Sequence, residues 1–200
     1  MMDLVNRVAE SDITTVDLAA LWDGAETATF DLAPFLHRGL VLRERDFRQS
    51  VKDHDWSQYA QKHVAVTCSA DAIVPTWAFM LVASKLAGVA ASVGEGTEAD
   101  VRRDHFVRAL EAHDWSQYVG KPVVIKGCGN DIVPLDAFLI ATQKLQGVAK
   151  KVMYGEPCSS VPVWRKPAPA AQAPAVGTKA VRPAGLGLPK GVKPAGPPRA

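Results

Sequence analysis

The chain has 200 residues, 23 of them Lys or Arg and 21 Asp or Glu, and a formal net charge of +2. Residues 165–200 carry four Lys and three Arg without any acidic residue, so residues 1–164 form a body with a net charge of −5. An acidic body argues against nucleic acid as its main partner, because binding to phosphates needs a basic face. With all five Trp in it, the body is large enough to fold as one domain.

The N-terminus does not have the pattern of an export signal, and we expect no membrane span. Residues 1–12 contain no long apolar stretch, and the longest apolar run, residues 78–83, is far too short to cross a bilayer. Residues 165–200 hold eight of the 14 prolines and no aromatic residue, which predicts a disordered basic tail that makes at most weak contacts with anions. We expect a cytoplasmic protein whose three thiols are reduced, with no contact to a membrane.

Residues 54–90 and 113–149 are similar to each other at an offset of 59 positions. The sequence HDWSQY occurs in both segments, and 18 of the 37 aligned positions are identical. We interpret this similarity as a tandem duplication, with repeat 1 at residues 43–99 and repeat 2 at residues 100–164. Residues 1–42 are expected to pack on the same domain and to include an edge strand near residues 13–18.

Each repeat has the same order of predicted elements, namely helix, turn, strand, helix and strand. The predicted boundaries are 45–54, 63–67, 76–87 and 91–93 in repeat 1, and 100–113, 122–126, 135–146 and 151–154 in repeat 2. Pro75 and Pro134 are predicted to be first helical residues, and Gly88 and Gly147 to be helix C-caps. Strand–helix–strand connections of this length predict parallel pairing. The expected fold is a single α/β domain with one mostly parallel sheet, built from two pseudo-symmetric repeats.

Each of the three cysteines follows a predicted strand, at Cys68, Cys128 and Cys158. Because the carboxyl ends of parallel strands meet at one edge of a sheet, we predict that the three thiols converge there. Thiolates bind zinc or an iron–sulfur cluster, and the nearest acids that could complete such a site are Asp71, Asp131 and Glu156. His63 precedes its strand, so we expect it at the opposite end of the sheet.

Two other interpretations of the cysteines remain open. One thiolate can act as a nucleophile or persulfide carrier, and Cys68 is the candidate because Ser69 and Asp71 make its loop the more polar one. Alternatively the thiols are inert and buried in a scaffold or interaction module, since free Cys is among the most buried residue types. Cys68 aligns with Gly127 and not with Cys128, which weakens the argument for convergence.

The HDWSQY motif allows a catalytic interpretation, in which His54 or His113 acts as a base oriented by Asp55 or Asp114. Its presence in both repeats favours a structural role, in which Trp and Tyr cover the edge of the core. The folded body lacks the Walker, GxGxxG, GxSxG and HExxH motifs. These absences disfavour an ATPase, a dinucleotide-dependent oxidoreductase and a serine hydrolase, and they favour a binding protein over an enzyme.

Several long segments of the chain match one bacterial family in order. They are NRVAESDITTVDL, FDLAPFLHRGLVLRERDFR, HDWSQY, VTCSADAIVPTWAFMLVA, VVIKGCGNDIVP and YGEPCSSVPV. Over residues 3–164 the chain resembles the family catalogued as domain of unknown function 2480, best represented in Bacteroidetes. The resemblance implies a small cytoplasmic protein without an established activity, whose family motifs include Cys68, Cys128 and Cys158. Members lie near genes for iron–sulfur assembly, so the resemblance also implies iron–sulfur assembly proteins as partners and an accessory role in iron–sulfur or sulfur metabolism.

Overall fold

The computed structural model describes residues 13–127 and 131–167. The described residues up to Lys166 form one compact unit. No helix in this part of the chain is long and apolar enough to span a bilayer. Cys128 and residues 168–200, which make up most of the predicted tail, lie outside the described residues.

Helices and strands alternate along most of this region. The strands are β1 (Thr14–Val16), β2 (Thr27–Asp31), β3 (Leu36–His37), β4 (Val41–Leu42), β5 (His63–Thr67), β6 (Ser92–Glu95), β7 (Pro122–Ile125), β8 (Lys151–Glu156) and β9 (Ser159–Arg165). The α-helices are α1 (Glu44–Asp53), α2 (Thr76–Leu86), α3 (Glu98–Ala112) and α4 (Leu135–Val148). Short 3-10 helices lie at Leu18–Leu21, Ala33–Phe35, Trp56–Tyr59 and Ser116–Tyr118. The predicted α/β class is confirmed.

The parallel strands are divided between two sheets, where the sequence predicts one. The first sheet has the order β2–β5–β6 and is entirely parallel, whereas the second has the order β1–β7–β8–β9, with only β9 antiparallel to its neighbour. Strands β3 and β4 form a separate antiparallel pair. Each predicted repeat therefore has its own sheet. The predicted N-terminal edge strand is β1, and it joins the sheet of repeat 2.

The strand register is the same in both sheets once the offset of 59 is applied. His63 lies opposite Ser92 at the start of β5 and β6, and Pro122 lies opposite Lys151 at the start of β7 and β8. The tandem duplication itself remains an interpretation of the sequence. Because the register is shared, equivalent positions at the strand ends have the same backbone pairing in both sheets. The side chains at those positions differ between the sheets.

The tryptophans of the two HDWSQY turns make the same hydrogen bond in both segments. The indole Nε1–H of Trp56 donates to the carbonyl of Val51 at 2.9 Å, and that of Trp115 donates to the carbonyl of Leu110 at 2.9 Å. Each turn is thereby attached to the end of the helix before it. These contacts support the structural interpretation of the motif.

The roles of three residues at helix ends differ from the prediction, namely at the end of α4 and at the starts of α2 and α4. Helix α4 continues to Val148, so Gly147 lies inside the helix and is not its C-cap, because Val148 still packs against the core. Gly88 does follow α2, with a φ of 75° that favours glycine. Pro75 and Pro134 have extended ψ angles of 138° and 152°, so they are N-caps and not first helical residues.

Strand β9 has no counterpart among the predicted elements. Pro162 interrupts its apolar pattern, and proline is confined to edge strands because it has no N–H for the hydrogen-bond ladder. In the structure β9 is such an edge strand, paired with β8 alone. It makes the second sheet one strand wider than the first.

The core consists of two clusters of buried side chains, one for each sheet. Leu86 of α2 belongs to the first cluster and Leu145 of α4 to the second, and both are fully buried. Helix α3 joins the two, because it packs on the strands of the first sheet while its Phe106 lies in the second cluster. Side chains of α3 therefore reach the amino ends of the first sheet, where the candidate site lies.

Candidate metal centre

The two cysteines that the structure describes lie in loops next to different sheets. Cys68 follows β5 of the first sheet and is half-buried, whereas Cys158 is exposed in the turn between β8 and β9 of the second sheet. Among the described residues, neither thiol belongs to a group of three or more possible metal ligands. Because Cys128 lies outside those residues, the predicted three-cysteine site stays a prediction.

The acids predicted near the thiols are not part of a ligand group in the described chain either. Asp71 and Asp131 are exposed, and Glu156 is half-buried at the end of β8. A different acid holds the loop of Cys68: Asp31 accepts hydrogen bonds from the backbone N–H of Ser69 at 2.9 Å and from its hydroxyl at 2.5 Å. These two hydrogen bonds anchor the loop that follows Cys68 to the end of β2.

The predicted His–Asp catalytic pairs are also absent from the described residues. Asp55 accepts a hydrogen bond from the N–H of Ser57 at 3.0 Å and caps the following turn, while His54 contacts the side-chain amide of Gln58. Asp114 caps the second turn in the same way. Neither carboxylate orients the imidazole beside it in sequence.

Three residues that are far apart in sequence meet at the amino end of the first sheet. Asp23 lies in the loop before β2, His63 is the first residue of β5, and His105 is on α3. One ligand-type atom from each lies within 4.8 Å of the other two. The structure places His63 at this end of its strand, as the sequence predicts. The sequence contains no spacing signal that connects His63 to the other two residues, because they come from separate segments.

His63 is held on both sides of its ring. Its Nε2 atom lies 3.1 Å from each carboxylate oxygen of Asp23, and its Nδ1 atom lies 2.7 Å from the hydroxyl of Ser92, the first residue of β6. Only 3% of the His63 side chain is exposed. Because a hydroxyl both donates and accepts, Ser92 is compatible with a proton on either ring nitrogen. His63 can therefore present a lone pair at Nε2.

His105 has a more restricted hydrogen-bond pattern. Its Nε2 atom lies 2.9 Å from the carbonyl oxygen of Leu21, which only accepts, so Nε2 carries the proton in this bond. Its Nδ1 atom lies 3.8 Å from Oδ2 of Asp23. In the neutral ring Nδ1 has a lone pair, which would face a negative carboxylate. A proton or a metal cation at this position makes the arrangement favourable.

Asp23 supplies a negative charge at the opening of the site. Partial burial raises its pKa, but hydrogen bonds from the N–H of Ala25 and from His63, together with the nearby imidazoles, outweigh burial and lower the pKa below its ordinary value of 3.8. The side chain is 44% exposed, so the site is open to solvent on this side. The carboxylate is therefore ionised at neutral pH and accessible to a cation.

Trp22 forms an aromatic wall next to both imidazoles. Its ring centroid lies 4.9 Å from that of His63 and 4.7 Å from that of His105, and its ring stacks on Phe106 at 5.9 Å. Packing of this kind restricts rotation of the imidazoles. The positions of Nε2 of His63 and Nδ1 of His105 are therefore determined before any ligand binds.

The spacing of the three candidate ligands suits a small metal ion. Zinc–nitrogen and zinc–oxygen bonds are about 2.1 Å long, so two ligand atoms on a tetrahedral ion lie about 3.4 Å apart. The separations from Asp23 to the imidazoles are 3.1 and 3.8 Å, and none of the three exceeds 4.8 Å. Small side-chain movements would bring all three atoms to a shared ion.

Comparisons with known proteins agree with the family resemblance of the sequence. A family model described as "Protein of unknown function (DUF2480)" matches residues 2–166. No curated protein and no solved structure matches the chain. The family match covers the acidic body, and its description names no activity or ligand.

Proposed function

The chain belongs to the DUF2480 family of proteins of unknown function, and on that premise we propose that it binds a divalent transition-metal ion through Asp23, His63 and His105. One observation carries the proposal. Each imidazole directs one ring nitrogen at the Asp23 carboxylate, while its other ring nitrogen is held by Ser92 or by the Leu21 carbonyl. Metal-binding histidines have this outer hydrogen bond, which fixes the ring and makes the ligand nitrogen more basic.

The donor set favours zinc over the harder cations. Two imidazoles and one carboxylate suit Zn²⁺ or Fe²⁺, whereas Mg²⁺ and Ca²⁺ prefer sets made of oxygen atoms alone. Three protein ligands leave at least one coordination position open on zinc. The exposure of Asp23 gives water or a small ligand a route to that position. The site is therefore suited to an exchangeable or reactive metal ion.

The same ion would connect three parts of the fold. Asp23 belongs to the N-terminal loop, His63 to the first sheet and His105 to the helix that joins the two halves. A ligand that binds only the folded state stabilises that state. The gain in stability grows with the logarithm of the ligand concentration once this concentration exceeds Kd. Zinc is therefore expected to raise the Tm as well as to bind.

An accessory role in iron–sulfur or sulfur metabolism is a separate proposal that depends on the cysteines. The exposed thiol of Cys158 is the observation that favours it, since an accessible thiol can react or bind a soft metal. A cluster ligand set would need Cys128, which lies outside the described residues. Replacing the cysteines by Ser distinguishes the two proposals, because the metal centre at Asp23 contains no thiol.

Zinc titration of the full chain, followed by calorimetry and elemental analysis after dialysis, tests the metal centre. The wild type is expected to bind one ion per chain, and Asp23→Asn and His105→Ala are expected to bind at least about 100-fold more weakly. His37→Ala is the matched control, because His37 lies on β3 and outside the ligand group. Both site variants alter partly exposed residues, and circular dichroism verifies their fold.

Two results would overturn the proposal. One is a wild type that binds no stoichiometric zinc. The other is zinc retained by Asp23→Asn and His105→Ala but lost when Cys68, Cys128 and Cys158 are replaced by Ser, which would assign the metal to the thiols.

A further inference from the structure

A second group of charged side chains lies at the corresponding end of the second sheet. An open cleft of about 790 Å³ is lined there by Lys121, Lys150, Lys151 and Arg165. The other described lining residues are Ile13, Gly120 and Pro122. The described lining therefore contains four basic residues and neither an acidic nor an aromatic one.

The strand order collects these four cations. Lys121 and Lys150 directly precede β7 and β8, and the N–H of Lys150 donates to the carbonyl of Lys121 at 2.9 Å. Lys151 begins β8 opposite Arg165, the last residue of β9. Neighbouring strands are about 4.8 Å apart, and like charges on adjacent strands repel. The four cations therefore repel one another when the cleft is empty. A bound anion would neutralise their charge and remove this repulsion.

No acidic residue in the described part of the chain neutralises the positive charge of this cleft. None of the four cations forms an ion pair with a described carboxylate. Lys62 occupies the position of Lys121 in repeat 1, and it is paired with Glu26 at 2.9 Å. Three of the four cations belong to residues 1–164, whose net charge is −5, so this cleft is a local reversal of sign. The four charges are available to a ligand.

We propose that this cleft binds the diphosphate or triphosphate group of a small molecule. Charge-assisted hydrogen bonds from Lys and Arg are the usual contacts to phosphate oxygens, and four cations match the charge of such a group. The volume lies within the range of small-molecule sites. A single-stranded nucleic acid fits less well, because its sites use aromatic side chains on which bases stack. The proposal is independent of the metal centre, which lies in the first sheet.

Calorimetric titration of the full chain with inorganic pyrophosphate at low salt tests the cleft. The wild type is expected to bind, and Lys151→Ala and Arg165→Ala are each expected to bind about tenfold more weakly. Lys62→Ala is the matched control, since it removes a lysine at the equivalent strand end of the first sheet. All variants keep residues 168–200, so any binding by that segment is the same in each. Asp23→Asn is expected to bind pyrophosphate like the wild type, which separates this proposal from the metal centre.

Three results would contradict the assignment. Unchanged pyrophosphate affinity in Lys151→Ala and Arg165→Ala would place the anion elsewhere. Equal affinity for orthophosphate and pyrophosphate would show a general anion site without preference for a phosphate chain. Tighter binding of a single-stranded oligonucleotide, lost in the same two variants, would identify the ligand as nucleic acid.

Discussion

The imidazole of His105 faces the carboxylate of Asp23, with Nδ1 3.8 Å from Oδ2. This pair connects the loop before β2 to helix α3, and His63 completes the group from the first sheet. The positions that correspond to the two histidines in the other repeat are Pro122 and Asp46. His63 belongs to repeat 1 and His105 to repeat 2, and neither has a histidine at its equivalent position, so the candidate metal centre has no second copy related by the offset of 59.

The hydroxyl of Ser92 is expected to position His63 for metal binding. Ser92→Ala removes the partner of Nδ1 while all three ligands remain, so zinc affinity should fall about tenfold. Competition with a coloured chelator measures this change. Ser84→Ala, on the surface of α2, should leave the affinity unchanged. An equal affinity in wild type and Ser92→Ala would show that the outer hydrogen bond has no role.

The stability contributed by Asp23 should depend on pH. Its pKa is lowered in the folded state, so its contribution is fully present above the ordinary value of 3.8 and is lost as the pH falls through the folded pKa. In EDTA at pH 7, Asp23→Asn should reduce the free energy of unfolding by about 0.5 kcal/mol, because the side chain is 44% exposed and solvent screens its charge. Urea denaturation at several pH values should show this difference shrinking below about pH 4. A difference that stays constant with pH, or one matched by the exposed control Asp71→Asn, would contradict the assignment.

The two indole hydrogen bonds should contribute equally to stability. Trp56→Phe and Trp115→Phe each remove one bond to a helix carbonyl, and each should lower the free energy of unfolding by about 1–2 kcal/mol. The two residues pack against different core clusters, so the effects should add in the double variant. Urea denaturation of the three variants measures this. A large deviation from additivity would show that the two turns are coupled.

Contact with Tyr154 is expected to favour glycine at residue 127. A Cβ atom at residue 127 would lie 2.6 Å from Cε2 and 2.8 Å from the hydroxyl oxygen of Tyr154, whose hydroxyl donates to the Gly127 carbonyl at 3.1 Å. Since the Tyr154 ring is 42% exposed it can move aside, and Gly127→Ala should cost only about 1 kcal/mol. In a Tyr154→Ala background the same substitution should have almost no effect. Thermal denaturation of the four proteins completes this double-mutant cycle, and equal costs in both backgrounds would refute the contact.

The described thiols should differ in reactivity because they differ in exposure. Cys158 is exposed in a turn, whereas Cys68 is half-buried with its thiol 3.6 Å from the Ala70 carbonyl. Iodoacetamide should therefore modify Cys158 several times faster than Cys68, as measured by peptide mass spectrometry. Cys158→Ser should leave the slower rate at Cys68 unchanged. Faster modification of Cys68 would instead favour the hypothesis that it is a reactive nucleophile.

The sequence was sufficient to predict elements whose pattern is local. Strand β5 occupies the predicted residues 63–67, and α2 begins at the predicted residue 76, because β-branched runs and Val-Pro boundaries act over a few residues. The division into two sheets was not predictable from these patterns. It depends on the pairing of β1 with β7 and of β2 with β5, which are contacts between distant segments.

Cys68 and Gly127, which occupy equivalent positions in the two repeats, have different neighbours on the adjacent strand. Tyr154 lies opposite Ile125 in β7–β8, and its ring covers the space that a side chain at residue 127 would need. In repeat 1 the corresponding residue is Glu95, opposite Val66, and Cys68 occupies the position of Gly127. Tyr154 on the neighbouring strand therefore favours glycine at residue 127.

By itself the sequence determined the α/β class, the repeated order of elements, the acidic body and the position of His63 at the amino end of its strand. Only the tertiary structure decided that His63 meets Asp23 and His105, and that Lys121, Lys151 and Arg165 line one cleft. Secondary structure arises from interactions between near neighbours in the chain, and sequence periodicity records those interactions. A ligand site depends on which distant segments pack together, and that is decided by the burial of the two cores and by the strand pairing between them.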